Sequence, residues 1–401
     1  MTKPLAGVRV LDLSNIIAGP LCTYQLVQLG ADVIKVERPG TGDLSRKMGA
    51  DPAMGRRNMG ASFLSSNAGK RSITLNLQQA RGRELFRAMV KDAGVVFENF
   101  RPGVMARLGL GYGDLKKINP GLVYCAVSGF GQDGPLSGRP AYDQIIQGYS
   151  GLMSVTGTED TGPFRAGYVV CDTMGAMTAA FAIVSALYRK QATGEGAFVD
   201  VSMLDSSIVT MAAWVVSNYV NAASVPRPLG NESHSAAPSG TFPTKDGQIN
   251  LVNNEQKQFE LTCDVLGRPD LKTHPQFADR DDRLKHRNAL RKELESVLKT
   301  RTGAEWEEAF SAAGVPAGRI YSIPEILDHP HIKDRGITRT FEKAGDGGRD
   351  VTVTTLGFRF VGEDLGLERP PPQLGQDSRD VLRGLGLGDA EIDALRREGT
   401  I

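Results

Sequence analysis

Three observations predict an α/β fold with a parallel sheet. Short apolar runs alternate with helical patterns through the first third of the chain. Each strand is followed by enough chain for a crossover helix, which parallel pairing requires. The loops after the strands are rich in Gly, Pro, Asn and Arg, and the loop ends of such a sheet are where ligands bind.

The elements follow in order. Val8–Leu13 reads as the first strand, and Gly19–Leu29 as a helix with Pro20 in its first turn. Ala31–Glu37 is the second strand and Ser72–Leu77 the third, followed by a helix over Ala80–Lys91. Val95–Phe100 is the fourth strand, Val104–Leu108 a short helix and Leu122–Val127 the fifth strand. Four loops carry chemistry-bearing residues: Ser14–Pro20, Glu37–Gly40, Glu98–Gly103 and Ser128–Pro135. Glu37 ends the second strand, where dinucleotide-binding folds place an acid. The first turn has no GxGxxG, however, so a nicotinamide dinucleotide is not expected.

The apolar run Val169–Cys171 reads as a strand end. From Gly175 onward, apolar residues recur at helical spacing through Leu187. Asp172 thus falls where an N-cap belongs, facing free N–H groups and the positive end of the helix dipole, both of which favour its ionised form. On these residues alone Asp172 is either a helix cap or a fixed carboxylate available as a nucleophile. The most apolar stretch, Met174–Tyr188, is too short to span a bilayer and reads as a buried or interface helix.

Beyond residue 218 the pattern changes. Residues 222–243 are polar and rich in Pro, Gly and Ser, as in a linker or active-site loop. Asp246–Val252 reads as a hairpin strand, and Gln256–Leu266, Asp282–Lys299 and Ala304–Ala313 as helices. A smaller α+β domain is expected over residues 225–330. Thr352–Phe360 is strand-like, and the final helix, Asp389–Glu398, returns to the large domain.

The chain has 401 residues, enough for two or three domains. Its 47 basic and 46 acidic residues give no electrostatic case for nucleic acid or an anionic membrane. Cys22, Cys125, Cys171 and Cys263 are far apart, which points to free thiols in a reducing cytoplasm and against a zinc site. Asp328-His329-Pro330-His331 reads as a surface turn and not as a metal site. No secretory signal pattern is visible at the start.

The run Leu5–Leu13, continued through Ala18-Gly19-Pro20 to Leu29–Glu37, closely resembles the opening of class III CoA-transferases, the CaiB/BaiF family of formyl-CoA and carnitine CoA-transferases. The resemblance continues through Asn67, Lys70–Ile73, Glu98–Gly103, Ser128–Gln132, Tyr142-Asp143, Ser150–Met153, Gly314–Gly318 and Leu374-Gly375, nearly the whole chain in the family's order. It implies that Asp172 is the nucleophile that carries CoA through a mixed anhydride and an aspartyl-CoA thioester. It implies an interlocked, ring-shaped homodimer. Each subunit would have a Rossmann-like large domain built from residues 1–224 and 331–401, plus the small domain of 225–330. The CoA contacts it implies are Asn15, Ile17, Ala18, Arg38, Leu75, Asn99, Arg107 and Leu108. Tyr142 and Arg165 are the expected substrate contacts. An acyl-CoA and a carboxylic acid are the expected substrates, with no metal and no resident cofactor.

Ser128 and Phe130 depart from the formyl-CoA enzyme, which has lysine and tyrosine there, and that enzyme's glycine-rich loop is missing around Leu229–His234. Oxalate/formyl-CoA exchange is therefore not expected. Arg165 resembles arginines of relatives that use dicarboxylates, which points to succinyl-CoA as donor and a small dicarboxylic or related acid as acceptor. The alternatives are an acyl-CoA racemase of the same fold and a CoA-binding protein without turnover. Tyr142 stands where racemases place a histidine, and a tyrosine is normally too weak a base for that role.

Overall fold

The computed structural model describes residues 2–401. Its centre is a six-stranded parallel sheet of order β3-β2-β1-β4-β5-β6. The strands are β1 (Arg9–Asp12), β2 (Asp32–Glu37), β3 (Arg71–Thr74), β4 (Val95–Glu98), β5 (Val123–Ser128) and β6 (Ala197–Ser202). This is the doubly wound order of the Rossmann fold, in which ligands bind where the order reverses, here between β1 and β4. Five strands lie where the sequence places them. The sixth escaped because its first four residues alternate between half-buried and exposed.

Period-two alternation gives each face its own core. Val10, Val33, Val95, Phe97, Val123 and Cys125 point to one face. There they meet helices Ala18–Gln28 and Val170–Thr193. Leu11, Ile34, Val96 and Tyr124 point to the other, against helix Ala80–Val90 and the C-terminal helices Ser378–Gly384 and Asp389–Arg397. The C-terminal segment is stitched to β3: the N–H of Ser72 donates to Asp377 Oδ2 at 2.8 Å and that of Thr74 to Ser378 Oγ at 3.1 Å.

The expected strand end at Val169–Cys171 is helical instead, because the helix begins at Val170 and runs 24 residues to Thr193. It is therefore longer than the apolar stretch in the sequence implied, and by length and composition it could cross a bilayer. Val170, Cys171, Ala176, Ala179 and Ile183 are nonetheless buried in the core of this sheet.

The chain divides into two compact units. One comprises residues up to Met153 together with Arg165–Pro226 and Arg335–Ile401; the other comprises Ser154–Phe164 and Arg227–Asp334. The second unit holds an antiparallel sheet of β7 (Ser239–Pro243), β8 (Gln248–Val252) and β9 (Ala317–Arg319). β7 lies inside the stretch read as a linker. The Pro and Gly content hid an ordered edge strand, as Pro is tolerated there. The single helix expected over Asp282–Lys299 is two, Arg280–Lys285 and Arg287–Leu298, separated at His286. Asp279 caps the first by accepting the N–H groups of Asp281 and Asp282. The core gathers Phe242, Ile249, Phe259, Trp306 and Phe310.

In the first unit, the strand expected over Thr352–Phe360 is confined to β11 (Val351–Thr354), paired with β10 (Thr338–Phe341). The His329–His331 segment joins two short helices, Ile323–Asp328 and Pro330–Arg335, and is not a simple turn. All four cysteines are free and buried.

Candidate active site

β1 ends on Asp12, which is fully buried and serves as a hub. Its Oδ1 accepts the Ser14 N–H at 2.9 Å, and its Oδ2 accepts the Thr23 hydroxyl at 2.7 Å and Lys70 Nζ at 3.1 Å. Burial opposes the Asp12 charge, but the Lys70 and Lys35 ammonium groups overcome it and hold the carboxyl below its usual range. Lys35 Nζ donates to the Ser14 carbonyl and pairs with Asp43, both at 2.8 Å. Asp43 Oδ1 then accepts the Ile16 N–H at 3.0 Å and, as the cap of the short helix Leu44–Lys47, the Ser45 N–H at 2.8 Å. Ile16 has φ +70°, a left-handed conformation that a β-branched residue adopts only when its surroundings enforce it. The Asp43 bond is part of that enforcement.

Asn99, after β4, reaches across the point of strand-order reversal. Its side chain accepts the Asn15 N–H at 2.8 Å and donates to the Asn15 carbonyl at 2.9 Å. Glu37 has a structural partner in place of a ribose: both of its oxygens bind the buried Arg46 guanidinium at 2.7 Å.

Asp172 is the third residue of its helix and not the N-cap, which is Val169. The free N–H groups of the first turn are met by a different carboxylate. Asp143 Oδ1 accepts from Cys171 N at 2.8 Å and from Asp172 N at 3.2 Å. Asp143 opens the helix Asp143–Tyr149, and one turn later Gln147 donates to its Oδ2 at 2.6 Å. Gln147 Oε1 also accepts the Ala166 N–H at 2.8 Å, so one helix face grips the segment leading into Asp172. The Asp172 side chain forms no hydrogen bond or ion pair among the described residues. The expectation that its ionised form is favoured is reversed: burial first, and the Asp143 charge second, push its carboxyl up to about 7.

Asp172 lines a cavity of about 230 Å³ together with Asn15, Ile17, Ala18, Asn99 and Tyr142, six residues that the sequence singled out. A second cavity, of about 720 Å³, is lined by Arg38, Leu75 and Leu108, with Asn15 and Phe100 lining both. Arg107 and Arg165 are exposed and line neither. Arg101, in the Glu98–Gly103 loop that the sequence marked, also lines the first cavity; sequence reasoning missed Arg139 there, Lys47 in the second cavity, and the bond from the Asp172 N–H to Asp143. For Asp143 the signal was available, since Asp143 and Gln147 lie four residues apart, directly after Tyr142.

Residues 5–378 match CoA-transferase family III. The chain is 34% identical over 400 residues to the succinyl-CoA:glutarate CoA-transferase of Mus musculus, covering 100% of this chain and 90% of that protein. It is 39% identical over 339 residues to the acetyl-CoA:oxalate CoA-transferase of Acetobacter aceti, covering 83% of this chain and 85% of that protein. Its fold is similar to the crystal structure of a CAIB/BAIF family protein from Brucella suis, with a TM-score of 0.85 and 34% identity over 96% of this chain and 100% of that one.

Proposed function

Given that the chain belongs to CoA-transferase family III and is a transferase, we propose that it moves CoA from succinyl-CoA to a small dicarboxylic acid, with Asp172 as the covalent carrier. The observation that carries this reading is an unpaired carboxylate, held by its backbone, in a cavity at the loop ends of a doubly wound sheet. The succinyl and dicarboxylate assignment draws on the mouse relative, whose name specifies succinyl-CoA and glutarate.

The Asp172 carboxylate attacks the thioester carbonyl. The C–S bond breaks, CoA leaves as its thiolate, and a mixed anhydride remains on Asp172. The thiolate attacks the aspartyl carbonyl, which frees the donor acid and leaves an aspartyl-CoA thioester. The acceptor carboxylate attacks that thioester and displaces the thiolate again. The thiolate then attacks the acceptor's acyl carbonyl, and Asp172 is regenerated as the new acyl-CoA departs. Each thioester replaces another, so the cycle needs neither ATP nor a resident cofactor. A carboxylate is a weak nucleophile, so alignment carries much of the catalysis, and the Asp143 grip on the Asp172 backbone supplies it.

Asn15, Ile17, Ala18 and Asn99 would contact the reacting end of CoA, and Leu75 and Leu108 the remainder. Arg38 and Arg107 would meet its phosphates, and Tyr142, which lines the Asp172 cavity where Arg165 does not, would contact the acid. We further propose an interlocked homodimer. Its support is the apolar face that helix Val170–Thr193 leaves uncovered, with Phe181 76% and Tyr188 78% exposed and Met177 beside them. Free, buried thiols fit a cytoplasmic enzyme.

The test is exchange between succinyl-CoA and a panel of mono- and dicarboxylic acids. New acyl-CoA from dicarboxylates, lost in Asp172→Ala, is the expected result. Absence of exchange with any acid, or undiminished exchange in that variant, contradicts the reading. For the assembly, sedimentation at nanomolar concentration should give about twice the 43.1 kDa chain mass, and a folded monomer contradicts it.

A further inference from the structure

We propose that Arg139 is the specificity-determining residue that receives the second carboxylate of the acid; this rests on the dicarboxylate reading above. Two cations line the Asp172 cavity, Arg101 and Arg139, and neither has a carboxylate partner among the described residues. An anion entering this cavity therefore meets guanidinium groups that no protein acid has claimed. The two arginines differ in how they are held. Arg139 Nη1 donates to the Tyr149 hydroxyl at 2.7 Å. The Tyr149 ring in turn sits edge-on against Phe130, with ring centroids 5.0 Å apart. This exposed bond engages one edge of the Arg139 fork, and the remaining N–H groups keep the planar geometry that matches a carboxylate.

The sequence around Arg139 ties it to the reacting group. Tyr142, three residues on, lines the same cavity. Asp143, four residues on, holds the Asp172 backbone. A short stretch of chain therefore sets the fork and the nucleophile in one frame. A small dicarboxylate would place one carboxylate at the aspartyl-CoA carbonyl and the other at Arg139. A monocarboxylate of equal length would leave Arg139 unpaired. Arg165, the arginine that the sequence offered for this role, does not line the cavity.

The experiment compares glutarate with valerate, which has the same carbon count and one carboxylate. In a ping-pong cycle, kcat/KM for the acid reports only the half-reaction with the CoA-loaded enzyme. Arg139→Ala should lower the glutarate-to-valerate ratio of kcat/KM by about 10- to 100-fold through glutarate alone, as loss of a charge-assisted bidentate pair would. Arg139→Lys should fall between, keeping the charge and losing the fork. An unchanged ratio, an equal loss on both acids, or a ratio that shifts in Arg101→Ala instead overturns the assignment. Wild-type enzyme that uses valerate as well as glutarate overturns the dicarboxylate reading and this inference with it. Wild-type preference for glutarate that survives in Arg139→Ala overturns this inference alone.

Discussion

Asp143 holds Asp172 by the backbone: one carboxylate oxygen accepts the N–H groups of Cys171 and Asp172, at 2.8 and 3.2 Å. The same carboxylate fills the capping role for the helix and places a negative charge beside the nucleophile. Geometry and electrostatics therefore pull in opposite directions. The grip aligns Asp172, while the charge, after burial, raises its pKa to about 7.

Asp143→Asn separates these effects. Asn keeps an oxygen for both N–H groups and removes the charge, with loss of the Gln147 bond to the second carboxylate oxygen. The wild-type rate should rise with pH through about 7 as the Asp172 carboxylate forms. In the Asn variant that limb should move to lower pH by up to about one unit. Asp143→Ala, which loses the grip as well, should lower kcat by about 100-fold. The pH dependence of kcat/KM for acyl-CoA checks both, and an unmoved limb in Asp143→Asn would remove the Asp143 charge from the account.

The raised pKa also has a stability consequence. Burial, the largest cause for both groups, pushes Asp172 and Glu98 up to about 7. A carboxyl with a pKa raised by folding binds its proton more tightly in the native state. The contribution of these groups to stability therefore falls as pH rises from about 4 to about 7. Asp172→Asn should match the wild type near pH 4 and exceed it at pH 8, by up to about 4 kcal/mol. Denaturant titrations at the two pH values read the difference directly. Equal stability at pH 8 would mean that the native Asp172 carboxyl ionises as easily as an unfolded one.

Arg38 lines the larger cavity and has no acidic partner among the described residues. If it meets a CoA phosphate, its contact is the same in ground and transition states. Arg38→Ala should then raise KM for acyl-CoA about tenfold and leave kcat within about twofold. Steady-state kinetics with one acyl-CoA donor suffice, and an unchanged KM removes Arg38 from the nucleotide site.

Strand positions were legible where burial on both faces makes strands apolar, as in Val95–Glu98, whose four residues are all buried. The same signal was missing in Ala197–Ser202, four of whose six residues are half-buried or exposed. Asp172 was found, but its setting was misread, because Val169–Cys171 are β-branched or small and give no sign that the helix has already begun. Its proton affinity was misread for a different reason. A dipole argument sees only the helix that carries Asp172, and Asp143 belongs to another helix altogether. The loops that line the two cavities were legible as ligand-binding strand ends, but only the family resemblance singled out individual contacts within them. Spacing along the chain cannot show that Asn15 and Asn99, 84 residues apart, hydrogen-bond reciprocally.

The covalent role of Asp172 is tested most directly by trapping it. Enzyme incubated with succinyl-CoA and quenched with hydroxylamine should carry a hydroxamate on the peptide containing Asp172, detected by mass spectrometry, and Asp172→Asn should carry none. Turnover with Asp172 unmodified, or a label on another residue that survives in the variant, would contradict the aspartyl carrier.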